Sequence, residues 1–528
     1  MKKKKIVVSI IVIGLLLSTA SLTTGLKKDK TIIYVDDDAP SEWYDETHVR
    51  TIQEGINNAS PGYTVFVFNG TYYGNVVIDK SITLRGEDRD NTIIDGAESF
   101  GIINVSADST IITGFTIQND SGTYDEELEP SCGITIESYR HDVIIKGNIV
   151  NDTVCGILVD EYSYDNIVSK NNIYNSTNSG MSVYFSHDNI VTENIIVHNN
   201  LTGLHLADSW FNTVFNNTII NHVWGMQVRG SWADNNIICG NIIAENEVGI
   251  NVWTGSDHNN IYGNTITNNV DGMWVWMFCD FNEIYENTFE DNTNYSIIMG
   301  RSLYCTYNSV YHNNFINNGK PPMCLALETD WDNGYPSGGN YWSDYNGTDN
   351  YHGPNQSIPG NDGVGDTPYS GMSGLGQDNY PLTSPYGWIN EPPNAPIIDG
   401  LASGKAGVEY NYTFVTVDPE EYGIYYWIDW GDGNNTSWIG PYISGEMITV
   451  SHTWTEQGKY TISAKAKDTR GAESEWGYLE VTMPKNQPSS QQSQSSSSGQ
   501  SSSQPSSQQS TTASGSQILQ SVGKTTNR

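Results

Sequence analysis

The sequence predicts an all-β protein: a parallel β-helix with three strands per coil of about 23 residues, followed by a β-sandwich. Three observations carry this. Glycine, or once tyrosine, opens a short apolar-alternating run at Gly133, Gly156, Gly180, Gly203, Gly225, Gly249, Gly272 and Tyr295, in steps of 23, 24, 23, 22, 24, 23 and 23 residues. A fixed period in the low twenties with no helical pattern inside it marks a solenoid. Asparagine keeps the same beat at Asn148, Asn172, Asn194, Asn217, Asn241, Asn264, Asn287 and Asn313, and again at Asn189, Asn212, Asn236, Asn259, Asn282 and Asn308. Finally, one period reads Gly249-Ile250-Asn251-Val252, Asn260-Ile261-Tyr262 and Asn264-Thr265-Ile266-Thr267, three half-buried strands separated by turn residues. Coils stack about 4.8 Å apart, so the asparagines are expected to form ladders of side-chain amides. Leucine-rich repeats share the period but need a leucine framework that is absent.

Taken in order, the chain opens with Lys2 to Lys5 before an uncharged stretch from Ile6 to Leu26, with small residues at Ser18, Thr19 and Ala20. This is the pattern of a secretory signal over 1–29; the uncharged run is also long enough to stay as a single membrane anchor. Residues 31–100 are expected to cap the helix. Ile32 to Asp38 reads as an edge strand entering an acidic turn. Val49 to Ala59 reads as a short amphipathic helix with Ile52 and Ile56 on one face, stopped by Pro61-Gly62, and placed to cover otherwise unpaired strand edges. Regular coils occupy 101–318, broken by an acidic loop from Asp120 to Pro130. From 319 to 385 the composition turns aromatic among Gly, Asn, Asp and Pro, as a segment covering the last coil. A linker at 386–396 contains Pro392-Pro393-Asn394-Ala395-Pro396. Residues 397–484 alternate as a separate β-sandwich, and 485–528 is a Ser/Gln-rich tail expected to be disordered.

Charge narrows the partners. The chain carries 25 basic against 61 acidic residues, a net −36. Such a surface argues against nucleic acid and anionic membranes, leaving a membrane role only to an uncleaved N-terminal segment. An exported protein, secreted or held at the cell surface, fits the signal pattern. Sequons such as Asn69-Gly70-Thr71, Asn346-Gly347-Thr348 and Asn435-Thr436-Ser437 are potential glycosylation sites.

Two resemblances can be stated. The run Thr51-Ile52-Gln53, Gly62-Tyr63-Thr64-Val65-Phe66-Val67, Asn69-Gly70-Thr71-Tyr72 and Ser81-Ile82-Thr83-Leu84-Arg85-Gly86, followed by the coils, resembles the NosD-like β-helix family over residues 31–385. The resemblance implies a right-handed β-helix within a wider group of carbohydrate-binding proteins and sugar hydrolases; it speaks to fold and hardly to activity. The family's namesake is implicated in copper delivery. This chain shows no Cys-Met-His cluster at ligand spacing, so that role is not carried over. The turn Trp430-Gly431-Asp432-Gly433 with His452-Thr453-Trp454, Gly458-Lys459-Tyr460 and Ala466-Lys467-Asp468 resembles a PKD domain. That implies an immunoglobulin-like module used for spacing, adhesion or contact with polysaccharides and other surface proteins.

Candidate chemistry follows from side-chain direction. In the strand opened by each glycine, offsets one and three point inward, so offsets two and four point out. The outward face then presents Tyr184, His205, Gln227, Arg229, Trp253, Trp274 and Trp276. Indole faces stack on sugar rings while amides and guanidinium bond hydroxyls. Two readings stay open: a glycan-binding strip, or a strip covered by another segment. On the same face Glu137 and Asp160 occupy equivalent positions on successive coils, about 5 Å apart at the backbone, near the separation of a retaining glycosidase pair. No nucleophile–base pair and no lyase-like cluster accompanies them, so a non-catalytic glycan-binding or adhesion protein is favoured over a secreted polysaccharide-active enzyme. No cofactor is expected beyond calcium at Asp362 and Asp366, whose glycine-rich loop lacks the EF-hand spacing. Cys132 and Cys155, and likewise Cys279 and Cys305, lie one coil apart. A rung spacing of about 4.8 Å lies within disulfide range, so both pairs are expected to bridge.

Overall fold

The computed structural model describes residues 32–97, 101–120, 131–300 and 305–484. The signal segment, the acidic loop at 121–130 and the Ser/Gln-rich tail lie outside the described residues. Each coil gives one short strand to each of three parallel sheets, which among the described residues hold 13, 12 and 12 strands. The first sheet contains Thr64–Val67 and Asn260–Tyr262, the second Thr92–Asp95 and Thr265–Thr267, and the third Cys132–Ile136 and Asp271–Trp276. Equivalent residues stack in register, as in Ile134, Ile157, Met181, Leu204, Met226, Ile250 and Met273 along the third sheet. All seven are 0% exposed, so each contributes the roughly 1.5–3 kcal/mol of a fully buried aliphatic side chain.

The opening glycines, each the second residue of its third-sheet strand, answer a crowding problem there. A Cβ at Gly156 would lie 2.3 Å from the Gly180 carbonyl oxygen, and one at Gly203 2.5 Å from that of Gly225. Nothing larger than hydrogen fits between the backbones of successive coils there.

The corners are closed by side-chain ladders. Asn241 is typical: its Nδ2 donates to the carbonyls of Val214 (3.0 Å) and Cys239 (3.2 Å) and to Asn264 Oδ1 (2.9 Å). Its Oδ1 accepts from the backbone N–H and the Nδ2 of Asn217. Each interior asparagine rung of this ladder thus staples its turn to the coils on both sides. One member differs from the sequence reading. The rung after Asn148 is Asn171, whose Oδ1 accepts from Asn148 N at 3.0 Å, whereas Asn172 starts the next strand. A third ladder that the sequence reading missed runs through Ser176, Asn199, His222, Asn246, Asn269, Asn292 and Asn318. It escaped notice because serine and histidine interrupt the asparagine pattern.

Both ends are covered. At the N-terminal end the helix is Ile52–Asn58, with a capping box between Thr51 and Glu54 and Ile52, Gly55 and Ile56 buried. Lys80 Nζ takes up its last carbonyls, at Ile56, Asn57 and Ala59. At the far end an interior column of rings, Phe289, Phe315, Trp342 and Tyr369, stacks with centroids 5.1, 4.3 and 4.3 Å apart. Below it, fully buried Asp378 accepts from Asn340 N, Trp342 Nε1 and Tyr380 N.

Residues 397–483 form a three-stranded and a four-stranded antiparallel sheet around Tyr412, Phe414, Ile424, Tyr426, Ile428, Trp430, Trp454 and Val481. The residues that resemble a PKD domain explain one another here. His452 stacks on Trp430 at 4.5 Å and bonds Asp432 at 2.8 Å, while Trp454 Nε1 donates to the Trp430 carbonyl. This module sits against the cap of the β-helix. Arg470 donates to the carbonyls of Pro336, Ser337 and Gly387, Thr469 Oγ1 donates to Asn361 O, and Tyr425 Oη meets His352 Nε2 at 3.0 Å.

Candidate glycan-binding face

The outward side of the third sheet has two rows set by strand register. One row is His205, Gln227, Asn251 and Trp274; the other is Tyr184, Ala207, Arg229, Trp253 and Trp276. All seven candidates on this face therefore lie together on five consecutive coils. They are less open than a solvated strip: only Tyr184 and Arg229 are exposed, Trp253, Trp274, Trp276 and His205 are half-buried, and Gln227 is buried.

The tryptophans are held rather than loose. Trp274 and Trp276 meet edge to face at 4.5 Å. Trp274 Nε1 donates to Asp271 Oδ2 (3.1 Å), Trp276 Nε1 to Asn251 Oδ1 (2.9 Å), and Trp253 Nε1 to the Met277 sulfur. The Arg229 guanidinium lies 4.6 Å from the Trp253 ring centre, a cation–π contact. Burial, and secondarily the Arg229 charge, pulls His205 down to about 4, so its imidazole is neutral at physiological pH. Burial pushes the Tyr184 phenol up. Two nitrogens stay without partners: His205 Nε2, donor or acceptor according to the tautomer, and the amide Nε2 of Gln227 are sealed from solvent and bonded to nothing. Sequence reasoning named both residues but had no means of seeing that they are orphaned.

The two carboxylates proposed as a catalytic pair are unequal. Asp160 is buried and accepts from Ser138 Oγ at 2.6 Å, while Glu137 is half-buried. The calcium candidates act as loop staples. Asp362 is buried and accepts from Val364 N and Gln356; Asp366 accepts from Thr348 Oγ1, Asn350 N and Tyr351 N. The cysteine pairs are adjacent, Cys132 in register with Cys155 and Cys279 hydrogen-bonded to Cys305, and all four are thiols in this structure. Elsewhere a groove of about 520 Å³ opens where His222 interrupts the third ladder, lined by His198, Asn221, His222, Glu245 and Glu247.

Three stacked parallel sheets, two capped ends and an appended β-sandwich define a β-helix protein with a PKD-type module. The family model described as "Periplasmic copper-binding protein (NosD)" matches residues 56–238 and 231–347, more than half of the chain, and the chain belongs to the NosD family. No curated protein sequence matches it. Among solved structures, it is 56% identical to the PKD domain of an M14-like peptidase from Thermoplasmatales archaeon SCGC AB-540-F20, over 18% of this chain and 100% of that one, with a TM-score of 0.18. The A-module of the mannuronan C-5 epimerase AlgE6 from Azotobacter vinelandii is similar at 14% identity, over 62% of this chain and 94% of that one (TM-score 0.43). The alginate lyase from Paenibacillus sp. str. FPU-7 is similar at 16% identity, over 55% and 94% (TM-score 0.27).

The family description mentions copper, and the donor set here does not suit it. Among the described residues, the one group of three close-set His, Cys, Asp or Glu ligands is Asp36, Asp37 and Asp38. Its carboxylate oxygens are hard donors suited to magnesium or calcium, whereas copper prefers imidazole, thiolate and thioether.

Proposed function

We propose that the protein is exported and that the outward face of the third sheet binds a polysaccharide without cleaving it. The observation that carries this reading is the group Trp253, Trp274 and Trp276. Large indoles on the outer side of a sheet, half-open to solvent and fixed by their N–H bonds, are pre-organised to receive sugar rings at little entropic cost. Their rungs are about 5 Å apart, so one sugar chain running along the axis touches all three. A non-catalytic role is favoured by the inequality of the two carboxylates, Asp160 being buried and Glu137 half-buried, in place of the matched, open pair that a glycosidase presents to its substrate. In the oxidising surroundings of an exported protein the cysteine pairs 132–155 and 279–305 close to disulfides. Non-reducing peptide mapping of the exported chain tests that; four free thiols would refute it.

Binding to a panel of neutral and acidic polysaccharides tests the main proposal, with reducing-sugar release measured beside it. The Trp274→Ala, Trp276→Ala double mutant loses at least about thirtyfold in affinity, the equivalent of roughly 2 kcal/mol for a hot-spot aromatic, while its β-sheet circular dichroism is unchanged. A mutant that folds and binds as before would move the ligand elsewhere, to the PKD-type module first.

A further inference from the structure

We infer that this face recognises an acidic sugar, with a uronate carboxylate received in a notch between Tyr184 and Arg229 whose donors are Arg229, His205 Nε2 and Gln227 Nε2. The inference rests on the glycan-binding reading above and names the class of glycan.

The notch comes from register. In the outer row, Tyr184, Ala207 and Arg229 follow one another on successive coils. Two long exposed side chains thus stand on either side of a methyl group. In the row beside it, His205 and Gln227 are paired neighbours. Gln227 is 3% exposed, and its Nε2, like His205 Nε2, has no hydrogen-bond partner. A buried unpaired donor is rare and destabilising, so two on adjacent rungs call for an explanation. A ligand oxygen supplies it.

The chemistry of the donors selects the ligand. Three side chains present N–H groups, and none presents a free carboxylate to accept from a sugar hydroxyl. Among the described residues Arg229 is part of no ion pair, in a chain where acids outnumber bases 61 to 25. The imidazole is neutral, so a carboxylate draws it into the tautomer with the proton on Nε2. The Arg229 guanidinium carbon lies 4.6 Å from the centre of the Trp253 ring. Its long stem lets it leave the ring and reach a carboxylate held beside the row of His205 and Gln227. The net −36 of the chain opposes an anionic ligand only over about a Debye length, roughly 8 Å at physiological salt. The acids nearest the notch are Glu161, Asp208 and Asp160, whose charges bear on Tyr184; of these Asp208 also interacts with Arg229, and burial pushes its carboxyl upward.

The test uses the full chain and two probes, a galacturonate oligomer and its fully methyl-esterified counterpart, with affinity measured by calorimetry. The acid binds at least about tenfold more tightly than the ester. Arg229→Gln removes the difference, and Gln227→Leu lowers acid binding several-fold without lowering the melting temperature. Asp208→Asn tightens acid binding and leaves the ester unchanged. Equal affinity for acid and ester, or a preference that survives Arg229→Gln, overturns the inference and leaves the glycan-binding reading standing. Binding of neither probe overturns it as well, and the wider panel then decides the parent reading. Loss of both probes in the Trp274→Ala, Trp276→Ala mutant alone, with the acid preference intact in the wild type, supports both.

Discussion

The asparagine corners and the outward face of the third sheet both shut side-chain nitrogens away from water and treat them in opposite ways. At the corners, amides are buried and every donor and acceptor is used; Asn241 alone engages four neighbouring residues. On the outward face one nitrogen of the buried Gln227 amide and one of the half-buried His205 imidazole are shut from solvent without a partner, in the sheet that also carries the half-open tryptophans. The first arrangement serves stability and the second sacrifices some of it. Other buried polar atoms, such as Thr192 Oγ1 and Ser296 Oγ, also lack a partner, but among the described residues only on this face do two such nitrogens lie on adjacent rungs beside the tryptophans, which is why the proposed ligand site is put there.

Four substitutions or conditions sharpen or break that contrast. The largest effect is expected at the corner. Asn241→Ala strips partners from Asn217 N and Nδ2 and from the Val214 carbonyl, each costing about 1–3 kcal/mol when left buried and unpaired. The loss should total about 4 kcal/mol or more, read as a large fall in the denaturant midpoint; a loss under 1 kcal/mol would remove the ladders from the account.

Next comes the junction between the two modules. Arg470→Ala deletes hydrogen bonds to three carbonyls of the cap and linker, worth about 3 kcal/mol for charge-assisted bonds. Calorimetry should then resolve a separate transition for residues 397–484, which should also melt cooperatively when expressed alone. A single unchanged transition would mean the contacts carry no coupling.

The third is a pH dependence. Burial holds Asp378 at about 7 against an ordinary 3.8, despite bonds from Asn340, Trp342 and Tyr380 that favour the charged form. Asp349 is held at about 6 by the same cause. A raised acid binds its proton more tightly when folded, so its stabilising effect is complete below about pH 4 and is lost as pH rises through 6 to 7. The β-helix end should be more stable at pH 5 than at pH 7.5, by about 2 kcal/mol for Asp378. Equal melting temperatures at the two pH values would contradict it.

The smallest effect, and of opposite sign, belongs to the outward face. Gln227→Leu removes an orphaned buried donor and should raise stability by up to about 1 kcal/mol in ligand-free protein. If it destabilises as Asn241→Ala does, Gln227 is another structural amide and the contrast between the two regions fails.

Much of this was readable from spacing. The inward residues Ile134, Ile136, Met181, Val183, Leu204, Leu206, Met273 and Val275 are all fully buried as the two-residue alternation required. The N-terminal helix lies within the span that the Ile52 and Ile56 pattern marked, and the Trp430, Asp432, His452 and Trp454 motif became one packed cluster. Where the pattern was degenerate the reading slipped: adjacent asparagines let Asn172 be taken for Asn171, and Ser176 and His222 hid a whole ladder.

The sequence by itself determined the repeat, hence which side of each strand faces the interior. A solenoid repeats one local environment, and a period is visible without any long-range contact. It also placed Tyr184, His205, Gln227, Arg229, Trp253, Trp274 and Trp276 on one face. Only the tertiary structure decided which of their hydrogen bonds are satisfied, that Asp362 and Asp366 accept hydrogen bonds from Val364, Gln356, Thr348, Asn350 and Tyr351, and that Arg470 ties the second module to the cap. Those outcomes depend on atoms brought together from coils and modules distant in sequence, and hydrogen-bond satisfaction is a property of that assembly rather than of any residue type.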